Sequence, residues 1–111
     1  MRAMVDVDAG VCGFQTTVRA TSSDGQHVGF EITTDCEKIA DLSRRLADTG
    51  EVDAYQEIHA ARESIVLAAA RSTLKGCCAG CAVPVGMFKG LQVAAGLALP
   101  RNVSIDIRKE E

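Results

Sequence analysis

Residues 14–20 and 28–34 each alternate apolar with polar side chains, and they meet across Asp24-Gly25. That dipeptide between alternating runs is the strongest short signal for a β-hairpin. Phe14, Thr16, Val18 and Ala20 share one side of the first arm, and Val28, Phe30 and Ile32 share one side of the second. All are even-numbered, so cross-strand partners must sum to an even number if the apolar sides are to coincide. A three-residue loop, Ser23-Asp24-Gly25, pairs Ser22 with Gln26 and makes every pair sum to 48. Val18 then faces Phe30, Thr16 faces Ile32 and Ala20 faces Val28. Carried to its open end, this register sets Cys12 opposite Cys36, with directly opposed side chains about 5 Å apart at Cβ.

The rest of the chain divides around this hairpin. Ala3, Val5, Val7 and Ala9 alternate with Met4, Asp6 and Asp8, which predicts a first strand over residues 3–9. Thr34-Asp35-Cys36-Glu37 has the form of a capping box, and Ile39, Leu42 and Leu46 follow at helical spacing. A first helix is expected over 35–48, with Cys36 in its first turn and Gly50 as the stop. Residues 53–75 read as helical with a break near His59, and residues 84–98 as a third helix with Pro84 at its first position. That helix is apolar nearly all round, and Gly86, Gly90 and Gly96 permit a neighbouring element to come close. Val103-Ser104-Ile105-Asp106-Ile107 alternates as a last strand. The order β-β-β-α-α-α-β predicts an α+β fold, a mostly antiparallel sheet with helices packed on one face. At 111 residues and 47% hydrophobic content, the chain suffices for one core and is read as a single domain, residues 1–111.

Charge and motif content remove several function classes. The net charge is −3, no basic block occurs, and one Tyr, three Phe and no Trp supply few stacking surfaces, so nucleic acid is not an expected partner. Asp6 and Asp8 interrupt what a secretory leader would need, and no apolar run reaches bilayer length, so a cytoplasmic protein without membrane contact is expected. The chain has no G-x-S-x-G, Walker loop, dinucleotide fingerprint or H-E-x-x-H, so no catalytic motif is recognised and enzymatic activity stays open. His27 at the hairpin tip and His59 between helical pieces read as surface or capping residues.

Five cysteines in a short chain from a reducing compartment point to metal binding or redox chemistry. Cys78-Ala79-Gly80-Cys81 is a chelating unit, because two intervening residues let both sulfurs turn to one centre. Cys12 and Cys36, paired by the hairpin register, complete a set of four thiolates. Cys77 is then spare, or replaces Cys78. Glycines at 10, 13, 76 and 80, with Ala79 and Ala82, leave room for something larger than one ion, which favours an iron–sulfur cluster over zinc, the alternative. Electron transfer, cluster handling or an accessory role would follow, with a second copy or a redox protein as partner. The apolar third helix is the argument for a homodimer, and a central position in the fold is the competing explanation. Two other readings stand beside the metal site: a metal-free dithiol at Cys78 and Cys81, and an interaction module whose cysteines are only packed. The Cys77-Cys78-x-x-Cys81 element and the phrase Val7-Asp8-Ala9-Gly10-Val11-Cys12-Gly13-Phe14 resemble a family of small uncharacterised prokaryotic proteins whose cysteines are its main marks. The resemblance covers the whole chain and implies no activity.

Overall fold

The computed structural model describes residues 1–59 and 61–111. Strands β1 (Arg2–Asp8), β2 (Gln15–Thr21) and β3 (His27–Thr34) form an antiparallel meander. Alternation in the sequence becomes two chemically different faces: Val7, Thr16, Val18, Ala20 and Val28 are buried on one side, while Asp6, Asp8, Arg19 and Glu31 meet solvent on the other. Helix α1 (Glu37–Thr49) lays Ile39, Leu42 and Leu46 against β3. A two-residue strand, β4 (Val52–Asp53), then pairs with the start of β3 and gives the sheet order β1-β2-β3-β4.

Helix α2 (Ala54–Glu57) is a single turn capped by Asp53, whose carboxylate accepts from the amides of Tyr55 and Gln56. Its last residue, Glu57, is buried and receives Ser64 Oγ at 2.7 Å and the amides of Ile65 at 2.7 Å and Val66 at 2.9 Å. Those amides are free donors at the start of helix α3 (Ile65–Thr73), so one carboxylate satisfies what the first turn cannot satisfy itself. A 3₁₀ turn (Gly76–Gly80) leads into helix α4 (Val83–Ala94), which crosses β1 and β2 on the buried face. Glycine makes that crossing close. A Cβ built on Gly86 would lie 2.7 Å from Val7 Cγ2, and one on Gly90 would lie 3.0 Å from Val5 Cγ2.

The α+β class, the antiparallel sheet and the helices on one face all stand, but four expectations need correction. Hairpin partners sum to 50, not 48: Thr16 faces Thr34, Val18 faces Ile32 and Ala20 faces Phe30. The loop is wider because Ser22 is claimed elsewhere. Its amide donates to Met1 O at 2.9 Å, its Oγ accepts from the Gly25 amide at 2.9 Å, and His27 and Val28 pair with β4. Even parity survives, so the apolar face is right, but Cys12 is not the cross-strand partner of Cys36. The first helix begins at Glu37, because Thr34 Oγ1 binds the Cys36 amide at 3.1 Å and Thr16 Oγ1 at 2.8 Å rather than capping a helix.

The long helical reading over 53–75 resolves into β4, α2 and α3, with Ala60 outside the described residues. Residues 103–107 join no strand ladder, and α4 ends at Ala94 with Gly96 at φ 74°. Alternation reports which way side chains would point in a sheet, not whether an edge is within reach. The apolar character of α4 is explained by the sheet it covers: Val83, Met87, Leu91 and Ala94 are all buried. Its composition is therefore no argument for a dimer.

Candidate functional site

Three chain reversals gather at the end of the sheet where β1 stops and β2 begins. The β1–β2 turn is closed by Ala9 N donating to Phe14 O at 3.2 Å and Gly13 N donating to Gly10 O at 2.9 Å. Gly10 at φ 85° and Gly13 at φ 74° adopt left-handed backbone that side chains rarely tolerate, and the turn they allow carries Cys12 exposed beside a fully exposed Val11. Cys36 follows β3 as the N-cap residue of α1, its carbonyl accepting the Ala40 amide at 2.9 Å. The 3₁₀ turn supplies the rest. Cys81 N donates to Cys78 O at 3.1 Å, and Cys81 immediately precedes Ala82, the N-cap of α4.

Cys36, Cys78 and Cys81 are half-buried against the core, whereas Cys12 and Cys77 are exposed. Burial pushes the Cys81 thiol above its ordinary value, the Val83 amide opposes that by hydrogen bonding to it, and the charges of Cys12, Cys36 and Cys78 push it further up. The four cysteines named from the sequence thus share one electrostatic neighbourhood. They reach it by turn geometry and helix starts, not through the cross-strand register that first linked Cys12 with Cys36. Lys38, on the first turn of α1, donates from Nζ to Cys78 Sγ at 3.4 Å. Lys38 was not anticipated, although its place two residues after Cys36 was the available signal.

All five thiols are free. Among the described residues, no three His, Cys, Asp or Glu side chains converge where a single ion could be held. The histidines are engaged locally: His27 Nδ1 lies 2.8 Å from Asp24 Oδ2, and His59 Nδ1 accepts the Ala61 amide at 3.2 Å. Two helix N-termini, those of α1 and α4, open onto the cysteines, and their unpaired amides favour negative charge there.

The model of one protein family matches residues 3–107. The chain belongs to the family of unknown function (DUF6951). The family match takes in all five cysteines and residues 103–107. No curated protein and no solved structure matches the chain significantly. Residues Gly76–Ala94 are apolar and long enough to cross a membrane by composition, but here they are a 3₁₀ turn followed by a helix whose apolar side lies on the sheet.

Proposed function

We propose that this protein holds an iron–sulfur cluster on Cys12, Cys36, Cys78 and Cys81, with Cys77 as an alternative ligand to Cys78, and that it serves in cluster handling or electron transfer. The observation that carries the reading is the placement of Cys12 in the β1–β2 turn, Cys36 at the start of α1, and Cys78 and Cys81 in the turn before α4, all at one end of the sheet. A cation bound by these sulfurs would displace their protons, because the thiolate is the ligating form. The glycines at 10, 13, 76 and 80 and the small Ala79 and Ala82, beside the cysteines in the chain, support a cluster over a single zinc ion, which would need its four sulfurs within roughly 4 Å of one another.

Lys38 at Cys78 and the helix starts at Cys36 and Cys81 would offset the negative charge of a thiolate-bound cluster. Exposure of Cys12 and Cys77 favours handling over sealed electron transfer, because a ligand at the surface can be exchanged with a partner. The reading calls for a reducing compartment, which the cytoplasm supplies.

Anaerobic purification followed by an absorbance spectrum and analysis for iron, sulfide and zinc tests it. Broad visible absorption with iron and acid-labile sulfide is the expected result. A colourless protein with stoichiometric zinc would transfer the site to the zinc alternative. A metal-free protein whose Cys78 and Cys81 cycle between dithiol and disulfide would overturn the cluster in favour of thiol redox chemistry.

A further inference from the structure

The carboxyl-terminal arm presents an unused strand to an unused edge. From Gly96 to Glu111 every residue is exposed, including Leu99 at 82%, Val103 at 59%, Ile105 at 69% and Ile107 at 88%. Ser104 and Asp106 fall between the last three, so the arm has one apolar and one polar side, the same pattern as β1 with Val5 and Val7 inward and Met4 and Asp6 outward. Among the described residues, no strand pairs with the outer edge of β1. Both its backbone groups and the apolar side of the arm would be covered by the same event. The family match runs through Ile107, so the arm belongs to the domain and is not an appendage to it.

We propose that residues 103–107 add as a fifth strand, antiparallel to β1, on the sheet of a second copy, and that two chains exchange these arms. The choice of a second copy follows from reach. The arm leaves the body beside the amino terminus, where a Cβ on Gly96 would lie 3.9 Å from Met1 Cε. Every pair in this sheet is antiparallel. Antiparallel pairing with its own β1 would require the arm to enter beside Asp8. From Arg2 to Asp8 β1 makes six steps, about 20 Å, and the seven steps from Gly96 to Val103 reach roughly 23–25 Å only at full stretch, which leaves no residues for the reversal that would turn the arm back along β1. A neighbouring molecule has no such constraint. Exchange in both directions is self-complementary, so it closes as a two-fold dimer and does not propagate as a filament. On the second copy, Val103, Ile105 and Ile107 would extend the apolar face beyond Val5 and Val7, and Ser104 and Asp106 would join the polar face.

The test uses the full-length chain in reducing buffer with a chelator, so that neither a disulfide nor a bridging metal can join two molecules. Light scattering is expected to give twice the chain mass of 11.7 kDa, with the amides of residues 103–107 protected from hydrogen exchange. Ile105→Lys, a change at an exposed position, should return the mass to that of one chain and release those amides, with the circular dichroism and melting of the body retained. Ser104→Pro, which removes a strand donor, should do the same. A wild type that is monomeric at all accessible concentrations overturns the proposal. A monomer with a protected arm also overturns it, since the arm would then lie on its own sheet, and so does a dimer that survives both substitutions.

Discussion

Gly86 is the residue where helix and sheet come closest, and two effects compete there. Ala is a better helix former than Gly by about 1 kcal/mol, so an unpacked position would gain stability on substitution. Here the added methyl would sit 2.7 Å from Val7 and 3.2 Å from Val5, inside van der Waals contact with the two inward-facing valines of β1. Gly86→Ala is therefore expected to destabilise the protein by about 1–3 kcal/mol, read by denaturant unfolding. Gly90→Ala, whose nearest contact is 3.0 Å, should cost less. A stabilised Gly86→Ala would mean that α4 does not lie this close to β1. At this scale the sequence is informative about type and silent about neighbours: the glycines of the third helix announced a close approach, but only the fold says that Val5 and Val7 are what they approach. Cys36 likewise announced a thiol at a helix start, while only the fold says that the ammonium of Lys38, two residues on, reaches Cys78.

The hairpin and the α2–α3 junction behave as elements with their own chemistry. At the hairpin tip, Asp24 Oδ1 holds the amides of Gln26 and His27, and Oδ2 meets His27 Nδ1 at 2.8 Å. The side-chain hydrogen bond to Asp24 raises the His27 pKa above 6.5, and the same bond holds Asp24 below its ordinary 3.8. The raised imidazole contributes fully below pH 6.5 and loses its contribution as pH rises through its folded value. The depressed carboxyl contributes above 3.8 and loses its share only as pH falls through its lower folded value. Melting temperature should consequently decline modestly from pH 6 towards pH 8 in a way that Asp24→Asn abolishes, the effect being small because both groups are solvent-exposed. Identical pH profiles for the two proteins would refute this.

Glu57→Ala should cost about 1–3 kcal/mol by leaving the buried Val66 amide and the part-buried Ile65 amide of α3 without their acceptor, and hydrogen exchange should show α3 opening first. Parity made the apolar face of the hairpin legible, but the register was not, because buried Ser22 and the short β4 compete for residues that a minimal loop would have paired. No local signal exposes such competition: β4 is two residues long, and its partner is 24 residues away along the chain for Val28 with Val52.

Over the whole molecule, the site is a consequence of topology. A three-stranded meander puts the β1–β2 turn and the end of β3 at one end of the sheet, and α4, running back across β1 and β2, starts at that same end. Cys12, Cys36 and the 78–81 pair are each local to one of these three features. The sequence identified the cysteines by type and spacing. It did not identify why they lie at one end of the sheet, since that depends on where α4 lands, and the last strand was misassigned because an alternating arm without a reachable edge looks the same as a paired one.

The most direct test of the central claim is the iron and sulfide content, with the visible spectrum, of anaerobically prepared Cys12→Ser and Cys36→Ser proteins beside Cys81→Ser and His27→Ala. Serine keeps the volume but is a poor ligand for a soft centre. The account predicts that each cysteine variant loses most of the bound iron and the visible absorption while keeping the fold, and that His27→Ala retains both. Wild-type iron and an unchanged spectrum in both Cys12→Ser and Cys36→Ser would contradict it.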